Sequence, residues 1–260
     1  MKVTSFLLPK SAVAVLLLIA LSPLGPVAAD PSFPPERQDR QSPGSLRVVE
    51  LFTSQGCSAC PAADRVLGEL AGQPGILALS WPVDYWDYMG WKDTLARPAN
   101  AKRQLAYAHA LGVRYRYTPQ AVINGAAQTA GFKRQAIEAA LSAAVSPVAL
   151  DLERRGAAIL AHIGAGAPDD GIADGGATIW LLRFLPHETV AVRGGENRGR
   201  TLSYRNVVRE QQKLGVWSGA AMDIWICSPP RGSKRDEKAG YALVIQRNDT
   251  GPVLGAALLD

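Results

Sequence analysis

The chain has 260 residues, 47% of them hydrophobic and 20% charged, with a formal net charge of +5. That is enough apolar material for one large or two small cores, and two are expected. The modest charge argues for solubility, and no basic run interleaved with aromatics appears, which excludes nucleic acid as the expected partner.

Lys2 and Lys10 stand around the start of an apolar run over 12–21, followed by Pro23, Pro26 and Val27-Ala28-Ala29. Residues 1–29 therefore read as a signal peptide cleaved after Ala29. The run falls short of the roughly 20 residues that span a bilayer, and no cysteine follows the cleavage point to accept a lipid. The mature chain, with its charge reduced from +5 to +3 by loss of the two lysines, is expected in the periplasm or outside the cell, free of the membrane. In that oxidising compartment cysteine pairs persist as disulfides. Residues 30–44, with Pro31, Pro34, Pro35 and Pro43 among polar residues, read as an extended lead-in.

The β-branched and aromatic run over 48–52 predicts a buried strand that ends in a turn at 53–56. From Pro61 onward Ala62, Ala63, Val66, Leu67 and Leu70 recur at helical spacing, placing Cys57 and Cys60 at the mouth of a helix. There the unpaired N–H groups and the positive end of the dipole favour thiolate over thiol. Two intervening residues let both sulfurs lie on one side of the first turn, and Pro61 forfeits little hydrogen bonding there. A loop at 72–75 leads to a second strand over 76–81, ended by Pro82. The segment VDYWDYMGWKD then crowds Tyr85, Trp86, Tyr88 and Trp91 with Asp84, Asp87 and Asp93. Its rings can cap the core or form an aromatic wall beside the cysteines, and both can hold for one segment. A buried Asp84 would be placed to assist proton transfer to the resolving sulfur.

Helical spacing predicts a second helix over 95–111, with His109 read as a structural residue. Arg114, Tyr115, Arg116 and Tyr117 lead into Thr118-Pro119, a strand over 121–123, the hairpin turn Asn124-Gly125 and a second strand ending at 131. A third helix follows over 133–145. Taken alone, C-x-x-C also serves zinc sites, so the order of elements and the Thr-Pro before the hairpin sharpen it.

The stretches VELFTSQGCSACPAADRVL, WPVDYWDYMGWKD, the Arg103-Gln104 pair, YTPQAVINGAAQTAGF and RGGENRGRTLSYRNVVR together resemble the secreted thioredoxin-like family known as domain of unknown function 1223. The resemblance covers nearly the whole mature chain. It implies an α/β chain with a thioredoxin-like domain at 45–146 and a small β-rich, sandwich-like domain at 147–260. It also implies that Pro119 is cis and that its turn packs over the cysteines, leaving the Thr118 backbone open to a partner strand. In the family pattern a histidine usually precedes VDYWD, whereas Pro82 stands here, so no role for that histidine carries over.

Beyond Pro147 short alternating runs at 148–152, 157–162, 178–184, 189–192, 223–227 and 241–246 predict strands. The stretch over 193–209, with Arg193, Arg198, Arg200, Arg205 and Arg209, reads as a solvated edge in preference to an anion surface. Cys227, opposite Ile224 and Ile226 on the face of Trp225, is expected to be a buried inert thiol, although an unpaired cysteine in an exported chain can also pair between molecules. His162, His187, Met89 and Met222 show no ligand spacing.

The expected function is an exported thiol–disulfide oxidoreductase in which Cys57 attacks and Cys60 resolves, Thr118, Pro119, Tyr85 and Trp86 meet the substrate, and no cofactor or metal is required. Its partners would be protein or small-molecule thiols and disulfides. Two other classes stay open: a soft-metal carrier holding copper, and a binding module with a permanent disulfide. The region after Pro147 is expected to cover the first domain without contributing to the chemistry.

Overall fold

A computed structural model describes residues 45–144, 146–156, 158–166, 176–227 and 239–259. The signal peptide and lead-in expected over 1–44 lie outside the described residues. Strand β1 (Arg47–Thr53) runs parallel to β2 (Ile76–Pro82) and antiparallel to β3 (Gln120–Ile123), which turns back into β4 (Ala127–Ala130). Helix α1 (Cys60–Leu70) joins β1 to β2, α2 (Pro98–Ala110) joins β2 to β3, and α3 (Arg134–Ala143) follows β4. The second helix starts three residues later than its spacing predicts, because Pro98 supplies the first helical residue after an extended Arg97.

Alternation along β1 divides the two faces of the sheet. Val49 and Leu51 meet Ala63, Leu67 and Leu70 of α1 and Ile137 and Leu141 of α3. Val48 and Phe52 meet Ala101 and Tyr107 of α2, together with Trp81. The hairpin turn has positive φ at Asn124 and Gly125. A Cβ on Gly125 would lie 2.1 Å from the Gly251 carbonyl oxygen, so glycine alone allows the later chain to approach.

Beyond Pro147 come β5 (Leu150–Arg155), β6 (Ala158–Ile163), β7 (Ala177–Ala191), β8 (Thr201–Trp217), β9 (Met222–Cys227), β10 (Gly240–Arg247) and β11 (Val253–Leu259). The two runs predicted at 178–184 and 189–192 are one strand, β7, which accommodates its length through register shifts between Ile179 and Trp180 and between Arg183 and Phe184. Eight strands form one mixed sheet in the order β11-β10-β7-β8-β2-β1-β3-β4, and β5-β6-β9 form a second. The later chain thus continues the sheet begun by β1 and β2. Its junction is narrow: β8 registers with β2 only at Ser80 and Val207. There the Ser80 hydroxyl donates to the Arg205 carbonyl at 2.8 Å and Asn206 Nδ2 donates to the Ala78 carbonyl at 2.8 Å. The small sheet packs Leu150, Ile159, Ala161 and Ile226 against Ile179, Leu181, Leu243 and Ile245, giving a two-sheet core.

A polar network crosses the apolar core between β1 and α2. Arg103 donates through Nε to Glu50 Oε2 at 2.6 Å and through Nη2 to Glu50 Oε1 at 2.8 Å, with side chains only 3% and 2% exposed. Tyr107 donates to the same carboxylate, and the Gln246 side-chain oxygen on β10 accepts from Arg103 at 2.9 Å. Gln246 Nε2 reaches the Tyr107 oxygen at 2.7 Å and the Gly251 carbonyl at 2.8 Å. Removing one partner strands a buried charge, which costs roughly 3–5 kcal/mol. Arg103→Ala should therefore lower unfolding stability in urea by about that amount, and adding Glu50→Ala to it should recover part of the loss. A loss below about 1 kcal/mol for Arg103→Ala would show that the pair holds nothing.

Candidate functional site

The turn between β1 and α1 lies at the C-terminal end of β1, where three separate parts of the chain fasten it. The Ser54 side-chain oxygen accepts from the Gly56 N–H at 3.1 Å. Asp93 Oδ2 accepts from the Gln55 N–H at 2.8 Å, while its other oxygen accepts from Leu95 and Ala96. The Gln55 side chain accepts from the Trp91 indole at 2.8 Å. From the connection between β7 and β8, fully buried Asn197 donates to the carbonyls of Gln55 and Cys57 at 3.0 and 2.8 Å, and is itself held by Arg200 at 2.9 Å. Glu196 accepts from the Ser58 N–H at 2.9 Å, and the Ser58 side chain together with that N–H holds its carboxylate below the ordinary range.

These contacts correct the reading of 193–209 as only a solvated edge. Arg198 and Arg205 are exposed, but Arg200 is spent on Asn197 and Arg209 donates to the Leu95 carbonyl at 2.9 Å. They also show that the chain beyond Pro147, expected to cover the first domain without contributing to the chemistry, fastens the backbone of the cysteine turn through Glu196 and Asn197. In the aromatic segment Trp91 and Asp93 fasten the turn, while Tyr85 and Trp86 pack against the core and Trp86 stacks with exposed Tyr88.

Cys57 and Cys60 are 3% and 0% exposed, so both sulfurs are covered, with exposed Ser58 and Ala59 between them. The Cys57 sulfur lies 3.8 Å from the Thr118 carbonyl oxygen, and the Thr118–Pro119 peptide is cis. Gly131 lets these pieces close together, since a Cβ there would stand 2.4 Å from Leu51, 3.0 Å from Ala63 and 3.3 Å from Pro119. Trp86 donates its indole N–H to the Thr118 hydroxyl oxygen at 2.8 Å, leaving that hydroxyl's own proton for the sulfur. Tyr85 donates to the Gln104 side-chain oxygen at 3.1 Å, and Gln104 Nε2 donates to the Tyr117 carbonyl at 2.8 Å, fixing the approach to Thr118. Pro82 is buried, its carbonyl accepting from Asn100 at 2.8 Å.

The two thiols differ sharply in acidity. Hydrogen bonding from Cys60 lowers Cys57 to about 6, opposed by burial and assisted by Thr118 and the N–H groups of Ala59 and Cys60. Burial raises Cys60 far above the ordinary thiol range, and the negative charges of Cys57 and Asp64 push it further. At neutral pH Cys57 is thus the thiolate and Cys60 the thiol.

Asp64 is the buried carboxylate that sequence reading missed. It lies one helical turn after Cys60, inside the buried stripe Cys60, Ala63, Leu67 and Leu70. A charged residue in an apolar stripe was the available signal. Among the described residues neither carboxylate oxygen meets a donor in good hydrogen-bond geometry, nor do the buried hydroxyls of Thr53 and Tyr204 find partners, although Thr53 lies near enough to oppose the rise at Asp64. Burial raises Asp64 well above 3.8, with the charges of Cys57 and Asp93 adding to it. Asp84, assigned the proton-transfer role from sequence, is half-buried; the carboxylate whose charge acts on Cys60 is Asp64.

Cys227 is exposed on β9 beside Trp225, which is 62% exposed, so its face was read correctly but its burial was not. His162 pairs with Asp223 at 2.8 Å on the same outer face. Among the described residues no three metal-ligating side chains cluster.

An α/β chain of two sheets presenting an acidic cysteine at a helix start is what this geometry defines. Residues 48–246 match the family described as "Protein of unknown function (DUF1223)", and the chain belongs to that family. A crystal structure of an Agrobacterium tumefaciens protein is similar, at 32% identity and TM-score 0.71, covering 83% of this chain and 94% of that one. HBP35 of Porphyromonas gingivalis, at 12% identity and TM-score 0.57 over 83% of this chain and 75% of that one, shares the fold. No curated protein matches the sequence.

Two outcomes follow from these acidities. Replacing Cys60 by Ala removes the donor that lowers Cys57, so the pH profile of Cys57 alkylation should move from about 6 toward 9. Cys60→Ser keeps a donor and should move it less; equal shifts would discard the hydrogen-bond account. Asp64 has a folded-state affinity for protons above its unfolded one. Above 3.8, up to the raised value, the native state keeps a proton that the unfolded chain releases, so stability falls as pH rises, by about 1.4 kcal/mol per unit. Asp64→Asn lacks that slope, and its urea stability relative to the unaltered protein should grow from pH 4 to pH 7. Parallel stability curves would contradict it.

Proposed function

We propose that this chain is an exported thiol–disulfide oxidoreductase whose β1 to α3 portion is thioredoxin-like. The carrying observation is the opposed acidity of two cysteines in one helical turn, with Thr118 directly beside the more acidic sulfur. In the reducing direction the Cys57 thiolate attacks a partner disulfide. A Cys57–partner bond forms, the partner's own S–S bond breaks, and its released sulfur takes a proton from solvent. Asp64, having first released its own proton to water, takes the proton of the Cys60 thiol, whose sulfur attacks the Cys57 sulfur and expels the second partner sulfur, which is protonated by water. The partner gains two electrons and the protein is left with a Cys57–Cys60 disulfide. In the oxidising direction neutral Asp64 returns the proton to the departing Cys60 sulfur. Buried Asp64, one turn from Cys60, supports this role better than half-buried Asp84 does.

Stabilising the Cys57 thiolate stabilises the reduced protein and raises its potential. The lowered pKa of Cys57 therefore favours a working dithiol with a potential above the roughly −300 mV of a structural disulfide. Equilibration of the mature chain with glutathione buffers, followed by thiol trapping, tests this. A potential below about −300 mV would mark a permanent structural disulfide and remove the oxidoreductase reading.

A further inference from the structure

We propose that the cleft between α2 and the segment over 111–117 receives an acidic stretch of the polypeptide whose sulfur exchanges with Cys57; this rests on the oxidoreductase reading above. Between Asp93 and Glu138 the chain carries no carboxylate side chain. Of the basic residues in that interval, Arg103 is neutralised by Glu50, and Arg134 pairs with Glu69 and Glu138. Arg97, Lys102, Arg114, Arg116 and Lys133 keep their charge with no carboxylate partner among the described residues. Of these, Arg114 and Arg116 line the cleft beside Tyr85, a positive pair complementary to an acidic partner.

The cleft gives that charge a shape. It has a volume of about 410 Å³ and is lined by apolar Leu105, Ala108 and Val113 together with Arg114 and Arg116. Arg116 is braced over the Tyr85 ring at 5.1 Å, and its Nη1 lies 3.4 Å from the Ala101 carbonyl. Tyr85 lines the cleft while its neighbour Trp86 holds Thr118. Arg116 is two residues before Thr118, at most about 7 Å of extended chain. A strand laid along the Thr118 backbone to bring its cysteine to Cys57 therefore carries residues only a few positions away over the cleft. An acidic side chain there meets guanidinium groups and apolar side chains together. A nucleic acid would meet the same charge, but its backbone offers no strand to pair with Thr118.

The test uses the reduced mature chain and three disulfide-linked synthetic peptides identical except for flanking Glu, Gln or Lys. Second-order exchange rates at low ionic strength should be about 10-fold higher for the Glu peptide than for the Gln peptide, with the advantage shrinking as salt is added. In Arg114→Ala/Arg116→Ala that ratio should fall toward 1. Equal rates for the Glu and Gln peptides, or a ratio unchanged in the double variant, would overturn the proposal while leaving the exchange chemistry intact. Exchange with none of the three would instead count against the oxidoreductase reading. Fluorescence anisotropy with a labelled, cysteine-free Glu peptide reports on the cleft independently of exchange: binding lost in the double variant supports the proposal, and absence of binding sinks it. Tighter binding of a single-stranded oligonucleotide of equal charge would overturn it in favour of a nucleic-acid surface.

Discussion

A carboxylate in the middle of a strand, with apolar residues on either side, is tolerable only if its charge is matched before water is lost. Glu50 is that group, and Arg103 of α2 matches it with two hydrogen bonds. The consequence reaches past the pair. Arg103 has donors to spare, and the one directed at Gln246 draws in β10, while Tyr107 closes the network over the same carboxylate. A directional polar network selects one arrangement of β1, α2 and β10, where an apolar contact would tolerate sliding. Positions of the helix, the strand and the later sheet are thereby tied together before any residue of the cysteine turn is considered.

The turn itself depends on polar contacts of the same kind. Gln55 and Asn197 are fully buried and Asp93 nearly so; each spends its hydrogen-bonding capacity on backbone groups or neighbouring side chains of the β1–α1 turn or the segment beside it. Buried backbone carbonyls need donors, and helix α1 offers no side-chain cap of its own at Ala59. The connection between β7 and β8 supplies what the local sequence lacks. This explains how an eight-stranded sheet assembled from distant parts of the chain bears on two cysteines: its farther portion delivers the donor that fixes the carbonyl of Cys57.

Elements whose evidence is local were legible in the sequence. The β1 to α3 order, the Asn124-Gly125 turn and the helix start at the cysteines follow from periodicity and turn chemistry within short windows. Strand β8 was not, because its exposed positions carry charges and its alternation breaks at Val207 and Val208, both buried where it reaches β2. Strand β11 is an apolar run without alternation, which gives no period to separate strand from helix. At the site, Cys57, Cys60, Thr118 and Trp86 were readable as a group. Asn197 was not, since it acts across 140 residues of sequence and a lone asparagine in an arginine-rich loop looks like solvent-facing polarity. Cys227 shows the converse limit: alternation identifies which residues share a face, but only the packing of the small sheet decides which face is covered.

Two chemically identical thiols three residues apart must be made unlike if one is to attack and the other to wait. Burial alone cannot do this, because both are covered and burial raises both. What separates them is the direction of the dipoles around each sulfur. Cys57 collects hydrogen bonds from Cys60, from Thr118 and from the N–H groups that the helix start leaves unpaired, whereas Cys60 faces a negative sulfur on one side and Asp64 on the other. The difference is self-reinforcing, since ionising Cys57 makes Cys60 harder to ionise and keeps it a donor to Cys57. It must also be reversible if Cys60 is to act as a thiolate at all. A buried carboxyl one turn away provides the means: it adds little charge while it holds its proton, it can give that proton to the Cys60 sulfur, and once ionised it can take one back. The unpartnered hydroxyls of Thr53 and Tyr204 add buried polar groups, and Tyr204 lies close enough for the charges of Asp64 and both cysteines to act on it. Strand β8 thus places a buried hydroxyl within reach of the charges around Cys60, just as the loop that precedes it holds the backbone at Cys57.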